Sequence, residues 1–222
     1  MKSNEPIESG SVQNLILTPA HYQPSYLGKR FQRLASYRQQ LLYATRKDHQ
    51  SYLVVGKGDG FTVDVLKQMG KQVTVLDIDP TLGPDLVASV DEIPLDDDSV
   101  DASICCQVLE HLPFEKFTAS LREMRRVSRR NLVLSVPDMR RILSMTFKLG
   151  QRDVGWQLSL GRFRPEPIPE SRMRDHGHHW EIGFRGYPFS RVRSAVRDSG
   201  WKIDEVRRVS ELPWHTFFYL AK

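Results

Sequence analysis

The chain has 222 residues, of which 40% are hydrophobic and 27% charged, and carries a net charge of +5. This balance excludes a disordered chain and suits one globular domain with a real core. No apolar run approaches the ~20 residues of a membrane-spanning helix, and the N-terminal MKSNEPIESGSVQN lacks the apolar centre of a secretory signal, so a cytoplasmic protein is expected.

Residues 1–27, with Pro6, Pro19 and Pro24, show no sustained period and read as an irregular arm, followed by a helix from Gly28 to Lys47. The run Tyr52-Leu53-Val54-Val55 then meets Gly56-Lys57-Gly58-Asp59-Gly60. A helical pattern through Phe61, Val65, Leu66 and Met69 follows, stopped by Gly70. A second strand, Val73 to Leu76, ends in Asp77-Ile78-Asp79-Pro80, and a short strand is expected at Asp85 to Ser89. After an acidic loop with Pro94 and a solvated Asp96-Asp97-Asp98 turn comes a strand from Val100 to Cys106, a helix from Phe114 to Val127, and a strand from Asn131 to Val136. Adjacent Cys105 and Cys106 cannot readily form a disulfide and have no histidine partners for zinc, so both read as buried strand residues. The alternation predicts a parallel sheet covered by helices on both faces, with any ligand at the carboxyl edge of its strands.

From Asp138 to Asp175 the pattern breaks. Between those limits eight basic residues, from Arg140 to Arg174, stand against Asp153, Glu166 and Glu170, an excess that equals the net charge of the whole chain. Gly161 to Pro169, with three prolines, reads as extended or loop. A helix from Tyr187 to Ser199 and strands at Trp201 to Ser210 and Trp214 to Ala221 close the chain, with His215 expected to be structural.

A glycine turn after a strand lets the backbone approach a ligand at a helix N-terminus, and an acid ending the next strand can accept hydrogen bonds from ribose hydroxyls. Asp77, 21 residues after Gly56, has that place. A dinucleotide fingerprint would need a third glycine at position 61, where this chain has Phe61. The spacing Gly56, Gly58, Gly60 instead fits a ligand without a pyrophosphate, and disfavours a nicotinamide-dependent oxidoreductase.

From Tyr52 to Val136 the sequence resembles the class I S-adenosylmethionine-dependent methyltransferases, in particular the type 11 subgroup, through VVGKGDG, VTVLDIDP, DEIPLDDDSVDA and CQVLEHLP. The resemblance implies an α/β Rossmann-like fold with a seven-stranded, mostly parallel sheet, and S-adenosyl-L-methionine as cofactor. It implies that Gly56, Gly58 and Gly60 pack on the methionine and ribose, that Asp77 and its neighbour Ile78 hold the ribose, and that Val90 and Asp91 cover the adenine. Gln107, Glu110 and His111 would face the methionine end and the acceptor. Where the family commonly has an acid for the adenine amine, this chain has Ser89, with Asp91 two residues on as the substitute.

The run Asp175-His176-Gly177-His178-His179 lies where this fold brings a loop over the sheet edge, so His178 and His179 are candidate general bases, with His111 a further catalytic candidate. Its spacing matches no established zinc pattern, and no metal is assigned; a metal with Asp175 or Glu181 as extra ligand, or purely structural hydrogen bonding, stays open. The expected organisation is one methyltransferase domain: an arm and helix over 1–50, a cofactor half over 51–137, a basic acceptor-side insertion over 138–186, and a C-terminal helix and strands over 187–222. The acceptor is expected to be a small molecule or a glycan or lipid-linked compound, with anionic character as one reading of the basic insertion. Peripheral membrane contact through that insertion is another, nucleic acid is disfavoured, and a non-catalytic nucleoside-binding protein of the same fold is the alternative class.

Overall fold

In the computed structural model, residues 31–150, 152–159 and 166–222 are described. The expected arm at 1–27, the first residues of the expected helix from Gly28, and residues 161–165 of the expected proline-rich loop lie outside the described residues.

Helix α1 (Phe31–Ala44) precedes β1 (Ser51–Val55), α2 (Phe61–Gln68), β2 (Gln72–Asp77), β3 (Leu86–Val87) and β4 (Val100–Cys106). Then follow α3 (Phe117–Val127), β5 (Ser128–Pro137), a hairpin of β6 (Ile142–Leu149) and β7 (Arg152–Ser159), α4 (Glu170–His176), α5 (Phe189–Asp198), β8 (Lys202–Val209) and β9 (Leu212–Ala221). Seven strands form one sheet in the order β3-β2-β1-β4-β5-β9-β8. The first five are parallel, and β9 runs antiparallel to both β5 and β8.

The period of two along β1 decides which helices cover which face. Leu53 and Val55 join a core with Phe117, Leu121, Met124, Val192 and Val196 from α3 and α5. Tyr52 and Val54 point the other way, into a core with Tyr43 and Ala44 of α1 and Val63 and Leu66 of α2. A strand buried on both faces must be apolar at consecutive positions, which is why β1 reads as an unbroken run. Trp201, just before β8, is buried and donates its indole N–H to Leu121 O at 2.9 Å, fastening the sheet edge to α3. Asp101 ties the start of β1 to β4: it accepts the Gln50 and Ser51 N–H groups at 2.8 and 3.1 Å, and these, the Gln50 bond foremost, hold its carboxyl down to about 2.

Three elements differ from those expected. Phe114–Lys116 forms a separate 3-10 turn before α3, and β5 is longer than expected at both ends. The insertion, read as broken pattern, contains a separate two-stranded sheet in which Leu149 pairs with Arg152. Gly150, at φ +63°, opens the tight turn, and Leu143, Met145, Phe147 and Leu149 alternate along β6 and stay exposed. No helix among the described residues is long and apolar enough to cross a membrane.

Candidate active site

The glycine run forms the turn between β1 and α2. Gly56, at φ +80°, donates its N–H to Leu76 O at 2.8 Å, and a Cβ there would stand 2.4 Å from Val108 Cγ2. Gly58, at φ +56°, faces open space, and Gly60, at φ +80°, is the N-cap of α2. Asp59 turns away to α1 and its own loop: it accepts the Tyr37 hydroxyl at 2.5 Å and the Phe61 N–H at 3.2 Å, while Tyr37 stacks on Phe61. Asp77, at the end of β2, accepts the Lys57 N–H at 2.7 Å and the Asp79 N–H at 3.0 Å, so one carboxylate braces both sides of the crevice.

These geometries separate two glycines that look alike in sequence. Gly58→Ala should cost only the left-handed backbone penalty, about 1–2 kcal/mol. Gly56→Ala adds a collision with Val108, and should lower the unfolding temperature further and weaken nucleoside binding at least about tenfold on loss of close approach. Thermal unfolding and calorimetry on both variants check this, and equal effects would refute the close approach at Gly56.

A cleft with about 140 Å³ of enclosed space, open to solvent, runs along the carboxyl ends of β1, β2 and β4. Among the expected site residues, Gly56, Gly58, Asp77, Ile78, Val90, Gln107 and His111 line it. Gly60 stands behind it as the helix cap, and Asp91 turns to Lys116 Nζ at 2.9 Å while accepting the Ser89 hydroxyl. Ser89 itself lines the cleft, as do Asp79, Cys106 and Val108, which sequence reasoning did not select. Cys106 is therefore not wholly buried as expected; it sits half-buried at the strand end, with its thiol pushed up to about 12 by burial. Gln107 takes φ +58°, a conformation that few residues other than glycine adopt, where the chain turns sharply off β4.

That turn carries Leu109–His111, a 3-10 turn stitched to the segment after α4. Buried Trp180 donates its indole N–H to Leu109 O and Leu112 O at 3.1 and 3.2 Å. The His179 N–H donates to Glu110 O at 2.8 Å, and His111 Nδ1 lies 3.2 Å from Gly177 O. His178 Nδ1 meets Glu181 Oε1 at 2.7 Å, and Arg172 Nη1 meets the same oxygen at 3.1 Å. Glu181 is fully buried. The rings of His111 and His178 are 5.0 Å apart, edge to face. Glu110 is fully buried and neither carboxylate oxygen has a hydrogen-bond partner among the described residues; burial pushes its pKa up to about 7 despite nearby His178. The fold thus gathers Glu110, His111 and His178, while His179 contributes a backbone bond.

The basic insertion is less basic than its composition. Arg140 is spent on buried Asp138 and Arg172 on buried Glu181, because a buried carboxylate holds a nearby guanidinium, while exposed Arg174 meets exposed Asp175 at 3.1 Å.

A glycine turn, an acid at the next strand end and a cleft at the switch between β1 and β4 form a nucleoside site. Residues 53–135 match the family model for a type 11 methyltransferase domain. This segment is a methyltransferase domain of the S-adenosylmethionine-dependent class. An Archaeoglobus fulgidus methyltransferase of this class is similar in fold, at TM-score 0.57 and 14% identity, over 90% of this chain and 100% of that one. So is the N-methyltransferase NodS from Bradyrhizobium japonicum, solved with S-adenosylhomocysteine, at 0.56 and 12%, over 86% and 87%. A Burkholderia thailandensis 1,6-didemethyltoxoflavin N1-methyltransferase aligns at 0.54 and 12%, over 93% and 91%. No curated protein matches the sequence significantly. The reversed last strand of the methyltransferase sheet is β9 here. The cradle fits S-adenosylmethionine: the Cβ-free approach at Gly56 and the braced acid at Asp77 border one cleft.

Proposed function

We propose that this methyltransferase acts on a small-molecule acceptor, or on the small polar end of a glycan or lipid-linked one, presented at His111 and His178. The observation that carries the reading is that the cleft bounded by Gly56 and Asp77 also includes His111, which packs against His178. S-adenosylmethionine, when bound, supplies an electrophilic methyl group on a sulfonium sulfur.

The chain's own residues have these roles in the proposal. Gly56 and Gly58 let the backbone approach the nucleoside, Gly60 caps the helix behind it, and Asp77, with Ile78 beside it, accepts the ribose hydroxyls. Val90 covers the adenine; Ser89, its hydroxyl donated to Asp91, keeps lone pairs for the adenine amine. Gln107 shapes the edge toward the acceptor through its strained turn, and Glu110 underlies that edge. His178, oriented by Glu181, takes the acceptor proton. Support for an acceptor with an apolar part comes from the exposed Leu143, Met145, Phe147 and Leu149 of the hairpin, whose strand leaves the chain soon after β5 ends beside the cleft. Anionic character of the acceptor is read from exposed Arg141, whereas Arg140 and Arg172 are held by Asp138 and Glu181.

The test is formation of S-adenosylhomocysteine from S-adenosylmethionine with fractionated metabolites and lipids, followed by turnover of the acceptor found. His178→Ala should then lower kcat by about 100-fold or more with S-adenosylhomocysteine affinity held within about threefold. Unchanged kcat at saturating acceptor would remove His178 from the chemistry.

A further inference from the structure

We propose that Glu110, His111 and His178 form a binding site for a divalent first-row transition-metal ion at the acceptor end of the cleft. One ligand atom from each of the three lies within 4.8 Å of the others. Three ligands at ~2.1 Å from a shared ion stand about 3.4–3.6 Å apart, so side-chain rotations of up to about 1 Å close the set.

Three observations point to an ion. The first is Glu110, fully buried, with neither carboxylate oxygen hydrogen-bonded among the described residues. A buried carboxylate is stable only when paired, hydrogen-bonded or bound to a metal, and such an orphan in a folded protein calls for a partner. The second is the way both imidazoles are held. His178 donates Nδ1–H to buried Glu181 at 2.7 Å, and His111 donates Nδ1–H to Gly177 O at 3.2 Å. A carboxylate or carbonyl on Nδ1 fixes the tautomer that offers the Nε2 lone pair, the usual outer support of a metal-bound histidine. The third is rigidity: Trp180 and the His179 N–H lock the Leu109–His111 turn onto the 177–182 segment, so the ligands are positioned in advance.

Two imidazole nitrogens and one carboxylate oxygen suit zinc, manganese, iron(II) or cobalt rather than calcium or magnesium, which prefer oxygen ligands throughout. Three protein ligands leave coordination positions open, and His111 places them toward the cleft. Resting on the methyl-transfer reading above, the site names the acceptor as a hydroxyl compound: the ion would hold its oxygen and lower its pKa, the proton would leave to water in the open cleft, and the O–CH3 bond would form as the sulfonium S–CH3 bond breaks, releasing S-adenosylhomocysteine. With the ion bound, His178 is a ligand and the ion supplies the acidification that a histidine base would otherwise provide.

The test uses the full-length chain without an affinity tag, stripped with a chelator and exchanged into chelator-free buffer. Co2+ is titrated against visible absorption, and Zn2+ and Mn2+ by calorimetry. The expected result is one equivalent of Co2+ bound with a ligand-field spectrum. Glu110→Gln should weaken it by at least about 30-fold, and Glu181→Gln, which touches no ion, by about 10- to 100-fold. In metal-free buffer Glu110→Gln should unfold at or above the wild-type temperature, because it removes an unpaired buried carboxylate, and added Zn2+ should raise the wild-type temperature alone. No stoichiometric ion in the wild type, or wild-type affinity in Glu110→Gln, would overturn the site. S-adenosylhomocysteine binding is measured on the same samples: its absence would overturn the methyl-transfer reading, whereas its presence without ion binding would overturn only the metal site.

Discussion

Asp77→Asn is expected to weaken S-adenosylhomocysteine binding about 100-fold while leaving the protein folded. The carboxylate already accepts the Lys57 N–H at 2.7 Å and the Asp79 N–H at 3.0 Å. An ionised carboxylate has about four acceptor sites, so two remain for the ribose hydroxyls of the bound nucleoside. Asparagine keeps one oxygen and turns an NH2 group on a backbone N–H that needs an acceptor. It also removes the charge from both ligand bonds, each worth about 1.5–3 kcal/mol when charge-assisted. A loss of about 2.7 kcal/mol corresponds to the 100-fold change. Asp59→Asn is the control: this acid lies one residue from Gly58 but bonds to Tyr37 and Phe61, so its change should alter affinity by less than about threefold. Calorimetry on both variants decides the matter. A loss below about fivefold at Asp77 would mean that the acid only braces the loop.

The contrast between Asp59 and Asp77 also shows where sequence reading stops. Consecutive apolar residues at Tyr52 to Val55 and the glycines after them are local signals, and β1, the turn and α2 follow from them directly. The strand Val100 to Cys106 and the acid closing β2 were legible for the same reason. Which way a side chain turns depends on partners distant in sequence, and no period encodes that. Ser89 looked like the loss of an adenine contact, yet it lines the cleft with Asp91 behind its hydroxyl. Glu110 and His178 lie either side of the β6–β7 hairpin in the chain and meet because Trp180 reaches back to Leu109 and Leu112. The histidine run drew attention by its density, but only His178 of that run joins His111 and Glu110. The net charge of the insertion was equally hard to read, since a count of charges does not show that Asp138 and Glu181 are buried and take up Arg140 and Arg172.

Asp138 carries the second large effect, on stability. Its carboxylate is fully buried at the end of β5, where Arg140 Nη2 reaches it at 2.7 Å, the Thr216 hydroxyl donates to it, and Arg208 Nε lies 3.7 Å away. Arg208 is itself only 8% exposed, and burial pushes its guanidinium pKa down. Its Nη2 donates to the carbonyls of Asp138, Arg140 and Pro213, so Asp138 supplies the nearby opposite charge. Asp138→Ala would leave that cation buried and uncompensated, a loss of about 3–5 kcal/mol. For a chain of this size the unfolding temperature should fall by roughly 6–20 °C. Replacing both charges, as in Asp138→Leu with Arg208→Met, should recover much of the loss, because the more deeply buried cation is gone and Arg140, 18% exposed, is left to turn to solvent. A double variant as unstable as Asp138→Ala would show that packing, not the charge, is at stake. The same residue also joins the two halves of the site. Its backbone bridges to Ile182, and the Met139 N–H donates to Ile182 O at 2.8 Å, immediately after the His178–Glu181 segment. At a temperature where Asp138→Ala is still folded, turnover should therefore fall more than S-adenosylhomocysteine affinity, since the acceptor side hangs on this bridge and the nucleoside side does not.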